Sequence, residues 1–236
     1  KNSVKKAEQE LKNRYESLEN KYDKFLAENY DYKANTYETN KINLLSNPTS
    51  LYTKQPTVYY GLMYLAKNAK KEVKIHTPYI ICNVYMYKEL KNIKVPTTIM
   101  TNSAENNGNI FGAVDYLNHK KDIINTGVTI KEYEGGISYH GKSMTIDDDI
   151  AIVGSFNMDM RSAYIDTELM LVINSKDINK QLKASMEEYE KKAATVKNET
   201  EYSHIPEGMK MKELSDKKKN IKAWFGWAMN GLRFLF

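Results

Sequence analysis

The sequence predicts an α/β fold, a mixed β-sheet flanked by helices in layers. Three observations predict it. Apolar residues fall alternately at helical spacing and in short β-rich runs. Pro, Gly, Asn and Asp bound those runs, as they do at turns. Helix and strand signals interleave along the chain, the pattern of a layered sheet with helical crossovers.

Residues 1–30 are highly charged and carry a broken apolar stripe of Val4, Ala7 and Leu11, then Leu18, Tyr22 and Phe25. The spacing is helical, but it slips near Tyr15 and is short for a coiled coil. A helix docked on its own domain, or a linker helix, is therefore preferred to a dimer seam. Residues 31–57 are rich in Asn, Thr, Tyr and Ser, contain Pro48 and Pro56, and read as loop. Val58, Leu62, Leu65, Ala66 and Ala69 mark an amphipathic helix. Residues 73–80 read as a strand ending in Thr77-Pro78-Tyr79, and 96–101 as another closing on Asn102-Ser103. Ile110, Ala113, Val114, Leu117 and Ile124 give a helix stopped by Gly127. A strand follows at 128–132, then the Gly135-Gly136 turn.

Two further strands, 144–146 and 150–153, flank the acidic turn Asp147-Asp148-Asp149. Residues 154–166 read as loop, 168–174 as strand and 177–195 as a polar helix. Residues 199–220 read as a polar linker with the basic run Lys217-Lys218-Lys219. Ile221, Trp224, Phe225, Ala228, Leu232 and Leu235 then recur at helical spacing with Lys222 and Arg233 between them. Such a helix suits a lipid interface, or packing on its own or a further domain; both stay open.

With 236 residues there is room for one substantial domain with appendages, or two small ones. No apolar run approaches the roughly 20 residues of a spanning helix. The net charge of +5 is compatible with phosphate-bearing partners without requiring one. Cys82 is the single cysteine, so no internal disulfide can form. His76, His119, His140 and His204 lack metal-ligand spacing, and no zinc site is inferred. The chain opens at a lysine and ends inside an apolar periodic stretch, and we expect a piece of a larger protein.

One segment concentrates chemistry. His140-Gly141-Lys142 leads to Asp147, Gly154-Ser155, Asn157 and Glu168, a pattern H-x-K-x4-D-x6-G-S-x-N with a later acid. Attack on a phosphodiester requires neutralised non-bridging oxygens, a nucleophile and a proton for the leaving oxygen. Neutral imidazole suits the nucleophile. His140 and Lys142, two apart at a strand start, share a face, so Lys142 can hold the oxygens that His140 attacks. Asn157, and Ser155 more weakly, can donate to the phosphate, and Gly154 lets the backbone approach closely. Glu168 can orient an imidazole by accepting its N–H. Asp147 lies at the far end of a strand, and we expect it to be structural, bonding backbone amides or a nearby base.

These residues together resemble the signature of the phospholipase D superfamily. Residues 154–162 (GSFNMDMRS) and Thr167-Glu168 are similar to its cardiolipin-synthase branch. Thr77-Pro78-Tyr79, Thr101-Asn102-Ser103 and Gly127-Val128 are similar to that family's strand ends. The resemblance covers about 48–178 and is strongest over 139–174. It implies a layered sandwich that is one half of a two-half enzyme. The implied divisions are an N-terminal helix and linker (1–47), a catalytic half-domain (48–198), and a polar linker with an amphipathic helix (199–236).

The resemblance implies phospholipid phosphodiester transfer or hydrolysis through a phosphohistidine, with no metal or other cofactor. His140, Lys142 and Glu168 are then catalytic, and Lys142, Ser155 and Asn157 bind phosphate. One motif histidine attacks while the other protonates the leaving alcohol and activates the acceptor; His140 could be either. No second H-x-K occurs, because His76 precedes Thr77-Pro78, His119 precedes Lys120-Lys121 and His204 precedes Ile205-Pro206. The expected partners are an anionic phospholipid, a further half-domain or a second copy, and a membrane surface reached by the C-terminal helix. Nucleic acid is not expected. Location at a membrane, peripheral or anchored by a segment outside this sequence, follows from the same resemblance. The alternative is a metal-independent nuclease of the same superfamily acting as a homodimer.

Overall fold

The computed structural model describes residues 2–26, 31–225, 231 and 233–235. The chain divides into two units, Lys1–Tyr37 and Glu38–Phe236. In the first, helix α1 (Asn2–Leu26) departs from helical geometry at Tyr22, with φ −120° and ψ 22°. Its stripe residues Val4, Leu11 and Leu18 are exposed.

The second unit runs β1 (Lys41–Ser46), α2 (Thr57–Lys67), β2 (Val73–His76), β3 (Ile80–Ile81), α3 (Val84–Lys91), β4 (Thr97–Asn102), α4 (Ile110–Ile124) and β5 (Thr129–Tyr133). It continues with β6 (Ser143–Ile146), β7 (Ile150–Gly154), β8 (Met158–Asp159), α5 (Met160–Tyr164) and β9 (Leu169–Asn174). Helix α6 (Lys176–Glu190), β10 (Ala193–Val196), β11 (Tyr202–His204) and α7 (Asp216–Phe225) follow. Among the described residues nine strands form one sheet, ordered β1-β9-β7-β6-β2-β4-β5-β10-β11. The β2, β4 and β5 strands are mutually parallel; the flanking pairs are antiparallel. The expected mixed α/β sandwich is the observed fold.

Register separates the two faces. Ile75 sits opposite Ile99 and Met144, and Ile99 opposite Ile130. With Ile152, Met170 and the buried side of α2 they form the main core. His76 and Lys74 alternate with Ile75 and so point to the other face, where α6 brings Glu190 and Glu187 to them.

Four readings are corrected. The presumed loop 31–57 contains β1, which pairs along β9 and places Ile42 opposite Ile173 and Leu44 opposite Leu171. Polar residues alternate with those two on an edge strand, so the local signal is weak. The presumed helix 177–195 ends at Glu190, and β10 then pairs with β5; β11 lies within the presumed linker. The presumed loop 154–166 contains β8 and α5, the latter capped by the Asp159 carboxylate accepting from the Ser162 amide at 2.5 Å. Helix α3, capped by Asn83, also escaped the sequence reading.

Of the C-terminal apolar stripe, Ala228 and Leu232 lie outside the described residues. Trp224 is 76% exposed, whereas Arg233 is tied to the body of the unit through Asp115 at 2.6 Å and the Cys82 carbonyl at 2.9 Å. No helix among the described residues is long and apolar enough to cross a membrane.

Candidate active site

The sheet brings the chemistry to one end. The parallel strands β2, β4 and β5 finish there at His76, Asn102 and Tyr133. Antiparallel neighbours place the start of β6, the end of β7 and the start of β9 at the same end. His140 and Lys142 immediately precede β6, Ser155 and Asn157 follow β7, and Glu168 precedes β9. Register thus brings the segments that carry these residues to one end of the sheet.

The Lys142 Nζ lies 2.8 Å from His140 Nδ1 and donates to the His140 carbonyl at 3.0 Å. Burial, with the Lys142 ammonium beside it, holds His140 below the ordinary histidine value. Burial likewise lowers Lys142, against the opposing pull of Glu168 and Asp159. Gly141 separates the pair; a Cβ there would fall 2.2 Å from the Tyr139 hydroxyl oxygen. His140 lines an open cleft of about 440 Å³ with Pro78, Tyr79, Asn107, Asn109 and Ser138.

Gly154 is required where β7 pairs with β9. A Cβ would sit 2.1 Å from the Leu169 carbonyl oxygen and 2.9 Å from the Met170 Cα. The next residue, Ser155, donates to Glu168 Oε2 and accepts from the Leu169 amide at 3.0 Å. Glu168 Oε1 accepts from Ser162 Oγ at 2.8 Å. Asn157 Nδ2 lies 3.3 Å from both the Tyr79 hydroxyl and Ser162 Oγ, and its buried Oδ1 has no hydrogen-bond partner among the described residues. Asn47 braces this loop, donating to the Ser162 carbonyl at 2.8 Å and accepting from the Val58 amide at 3.1 Å.

The site residues therefore fall into two sub-clusters at one sheet end, His140 with Lys142, and Ser155 with Glu168. Hydrogen bonds within the described residues carry Glu168 to Ser155 and Ser162, and none joins it to His140. Asp147 stands apart from both. With φ +52°, it accepts from the Lys70, Lys71 and Glu72 amides at 2.7–3.2 Å. Burial opposes its ionisation, but those amides hold its carboxyl below the usual range.

Sequence reasoning missed three participants. Asp159 is buried, and burial pushes its carboxyl up to about 7, with Glu168 and Asp166 adding to the rise and the Ser162 bonds opposing it. Ser162 links Asn157, Asp159 and Glu168. Tyr79 belonged to a noted motif, yet only the folded chain shows its hydroxyl on Asn157. Asp159 and Ser162 likewise stood in the noted segment 154–162, but their bonds to each other and to Asn157 and Glu168 are visible only in the folded chain.

A family model described as cardiolipin synthase, PLD-like domain, matches residues 62–189. Cardiolipin synthase 1 of Staphylococcus epidermidis (strain ATCC 12228 / FDA PCI 1200) is 30% identical over 159 residues, covering 66% of this chain and 32% of that protein. The phosphatidylserine synthase structure from Haemophilus influenzae Rd KW20 aligns with TM-score 0.58 at 15% identity, over 83% of this chain and 48% of that one. Nuc from Salmonella typhimurium, a phospholipase D family member, aligns with TM-score 0.53 at 16% identity, over 66% of this chain and 97% of that one. The chain spans about a third of the length of the curated relatives it matches, between 26% and 38% for the first three.

Proposed function

The chain belongs to the cardiolipin-synthase, phospholipase D-like domain family, and we propose that it supplies one half-site for phosphodiester transfer or hydrolysis on a phospholipid. The observation that carries this is the Lys142 ammonium 2.8 Å from His140 Nδ1 at the rim of an open cleft. A phosphoryl group docked there meets a cation and an imidazole together. Ser155 and Asn157 supply further donors, and Tyr79 steadies Asn157.

In this reading the substrate is an anionic phospholipid and the covalent intermediate is a phosphohistidine. His140 either attacks phosphorus or protonates the leaving alcohol and then activates the acceptor. Water as acceptor gives hydrolysis; a lipid hydroxyl gives transfer. Asp147 and Gly154 are structural, one closing the β6–β7 turn and the other admitting β9. Glu168 fixes Ser155 on this side and has no bond to His140, which supports its acting toward the histidine of a second half. Ile42, Leu44, Val153 and Leu169 are exposed; register puts them on one sheet face beside the site, which supports packing of that second half. The catalytic half-domain is assigned to about residues 48–198, with β1 and β11 completing its sheet. Exposed Trp224, Lys217, Lys219 and Lys222 of α7 support contact with a membrane surface.

The test presents the complete protein with phosphatidylglycerol vesicles and follows cardiolipin and phosphatidic acid. Formation of either, lost in His140→Ala, supports the reading. Neither product from the wild type, together with metal-independent cleavage of DNA, replaces it with the nuclease alternative.

A further inference from the structure

We infer that Asn102, at the end of β4, is a positioning residue for His140, clamping the peptide immediately before it. Asn102 Oδ1 accepts from the Tyr139 amide at 2.8 Å, and Nδ2 donates to the Tyr139 carbonyl at 2.9 Å. The same side chain donates to the Pro78 carbonyl at 2.8 Å and accepts from Asn106 Nδ2 at 3.0 Å. Both its N–H groups and both acceptor positions are thereby used, and it is 1% exposed. A carboxamide alone offers two donors and two acceptors on one planar group.

The consequence is geometric. Tyr139 is held at its backbone by Asn102, and its hydroxyl lies 3.2 Å from His76 Nδ1. Its ring stacks edge-on to Tyr189 at 4.8 Å. His140 itself is exposed, so packing does not fix it; its position is inherited from the residue before. Through Pro78, Asn102 also sets the start of the turn that carries Tyr79, which bonds Asn157. One buried amide therefore fixes the spacing between the His140–Lys142 pair and Tyr79 across the cleft. Asn106 adds a second bond to this loop, at the Ile137 carbonyl.

Asn102→Asp tests this at nearly constant shape. It keeps an acceptor for the Tyr139 amide but turns an oxygen toward two carbonyl oxygens. In the ¹⁵N-labelled 236-residue chain, the His140 Nδ1 resonance is expected to move toward that of a free imidazole as its contact with Lys142 is lost. His119 and His204 are expected to keep theirs. In the complete protein kcat falls about 100-fold, the scale of a small misplacement of a reacting group, while KM changes less than about threefold. Thr101→Val, a buried neighbour on β4 with no hydrogen bond at its hydroxyl, leaves both readouts unchanged. If Asn102→Asp does not fold, Asn106→Ala serves, with a smaller movement of the same resonance and a fall in kcat of about fivefold. An unmoved His140 resonance in either folded variant overturns the inference, as does an equal effect of Thr101→Val. The kinetic arm rests on the phosphodiester reading and the spectroscopic arm does not. A moved resonance in a protein whose wild type turns over no phospholipid keeps the clamp and removes that reading.

Discussion

Lys142 places its ammonium nitrogen 2.8 Å from His140 Nδ1 and 3.0 Å from the same residue's carbonyl oxygen. The cation is thus bound to the backbone of the residue whose ring it serves. Desolvation disfavours the imidazolium and the neighbouring positive charge penalises it further, so His140 stays neutral to lower pH than a free histidine. A neutral ring can attack or accept a proton near neutrality.

Lys142→Met removes that repulsion. His140 is expected to titrate at higher pH than in the wild type, and the limb of the activity profile it governs, acid if it attacks and alkaline if it protonates the leaving alcohol, to move up with it. Activity at neutral pH falls about 10³-fold, because the phosphoryl oxygens lose their cation. Histidine titration by NMR and a pH–rate profile check the two halves separately.

Gly154→Ala pushes a methyl against the Leu169 carbonyl oxygen, 2.1 Å from the ideal Cβ. Neither β7 nor β9 can yield without breaking the pairing of Gly154 with Met170. A loss of about 3 kcal/mol, the upper range for overpacking, is expected in urea unfolding, with activity lost alongside.

Asp147→Ala should unfold more easily and yet catalyse normally when folded. It removes the acceptor of three backbone amides and leaves a non-glycine residue at φ +52°. A destabilisation of about 2 kcal/mol is expected, with kcat at low temperature within about twofold of wild type. A collapse of kcat in the folded variant would show that Asp147 reaches the chemistry.

Glu190 sits under the site, 3.2 Å from His76 Nε2 and 2.5 Å from Lys131 Nζ. Burial opposes its ionisation, yet His76, Lys131 and Lys74 hold its carboxyl down at about 2. A carboxyl lower in the folded than in the unfolded chain adds stability above its unfolded value, lost as pH falls toward the folded one. Stability should therefore drop between about pH 4.5 and about pH 2. Glu190→Gln should flatten this slope and cost about 2 kcal/mol at neutral pH by removing the charged partner of half-buried Lys131, while Lys74 keeps Glu187. Denaturant midpoints across that window decide it.

The sequence made the centre of the fold readable and left its margins obscure. Helices α2 and α4 and strands β2, β4 and β5 carry apolar residues at their own period and end at Pro, Gly or Asn. Strands β1, β10 and β11 lie toward the sheet edges, and their pairing comes from neighbours distant in sequence. The site divides similarly. His140, Lys142, Ser155 and Asn157 are legible because short spacings imply a shared end of adjacent strands. Asn102, Ser162, His76 and Glu190 are not, because a buried polar group acquires its partner only when register aligns distant segments. His76 and Glu190 lie 114 positions apart.

The most direct measurement is a rapid-quench experiment on the complete protein with phosphatidylglycerol labelled in its phosphatidyl group, comparing wild type with His140→Ala. The wild type is predicted to pass through a transient, acid-labile phosphatidyl-enzyme and release product. His140→Ala is predicted to release product at least about 10³-fold more slowly, with no covalent species if His140 attacks, or a persistent one if it handles the proton. Product release by His140→Ala at the wild-type rate would contradict a half-site built on His140 and Lys142.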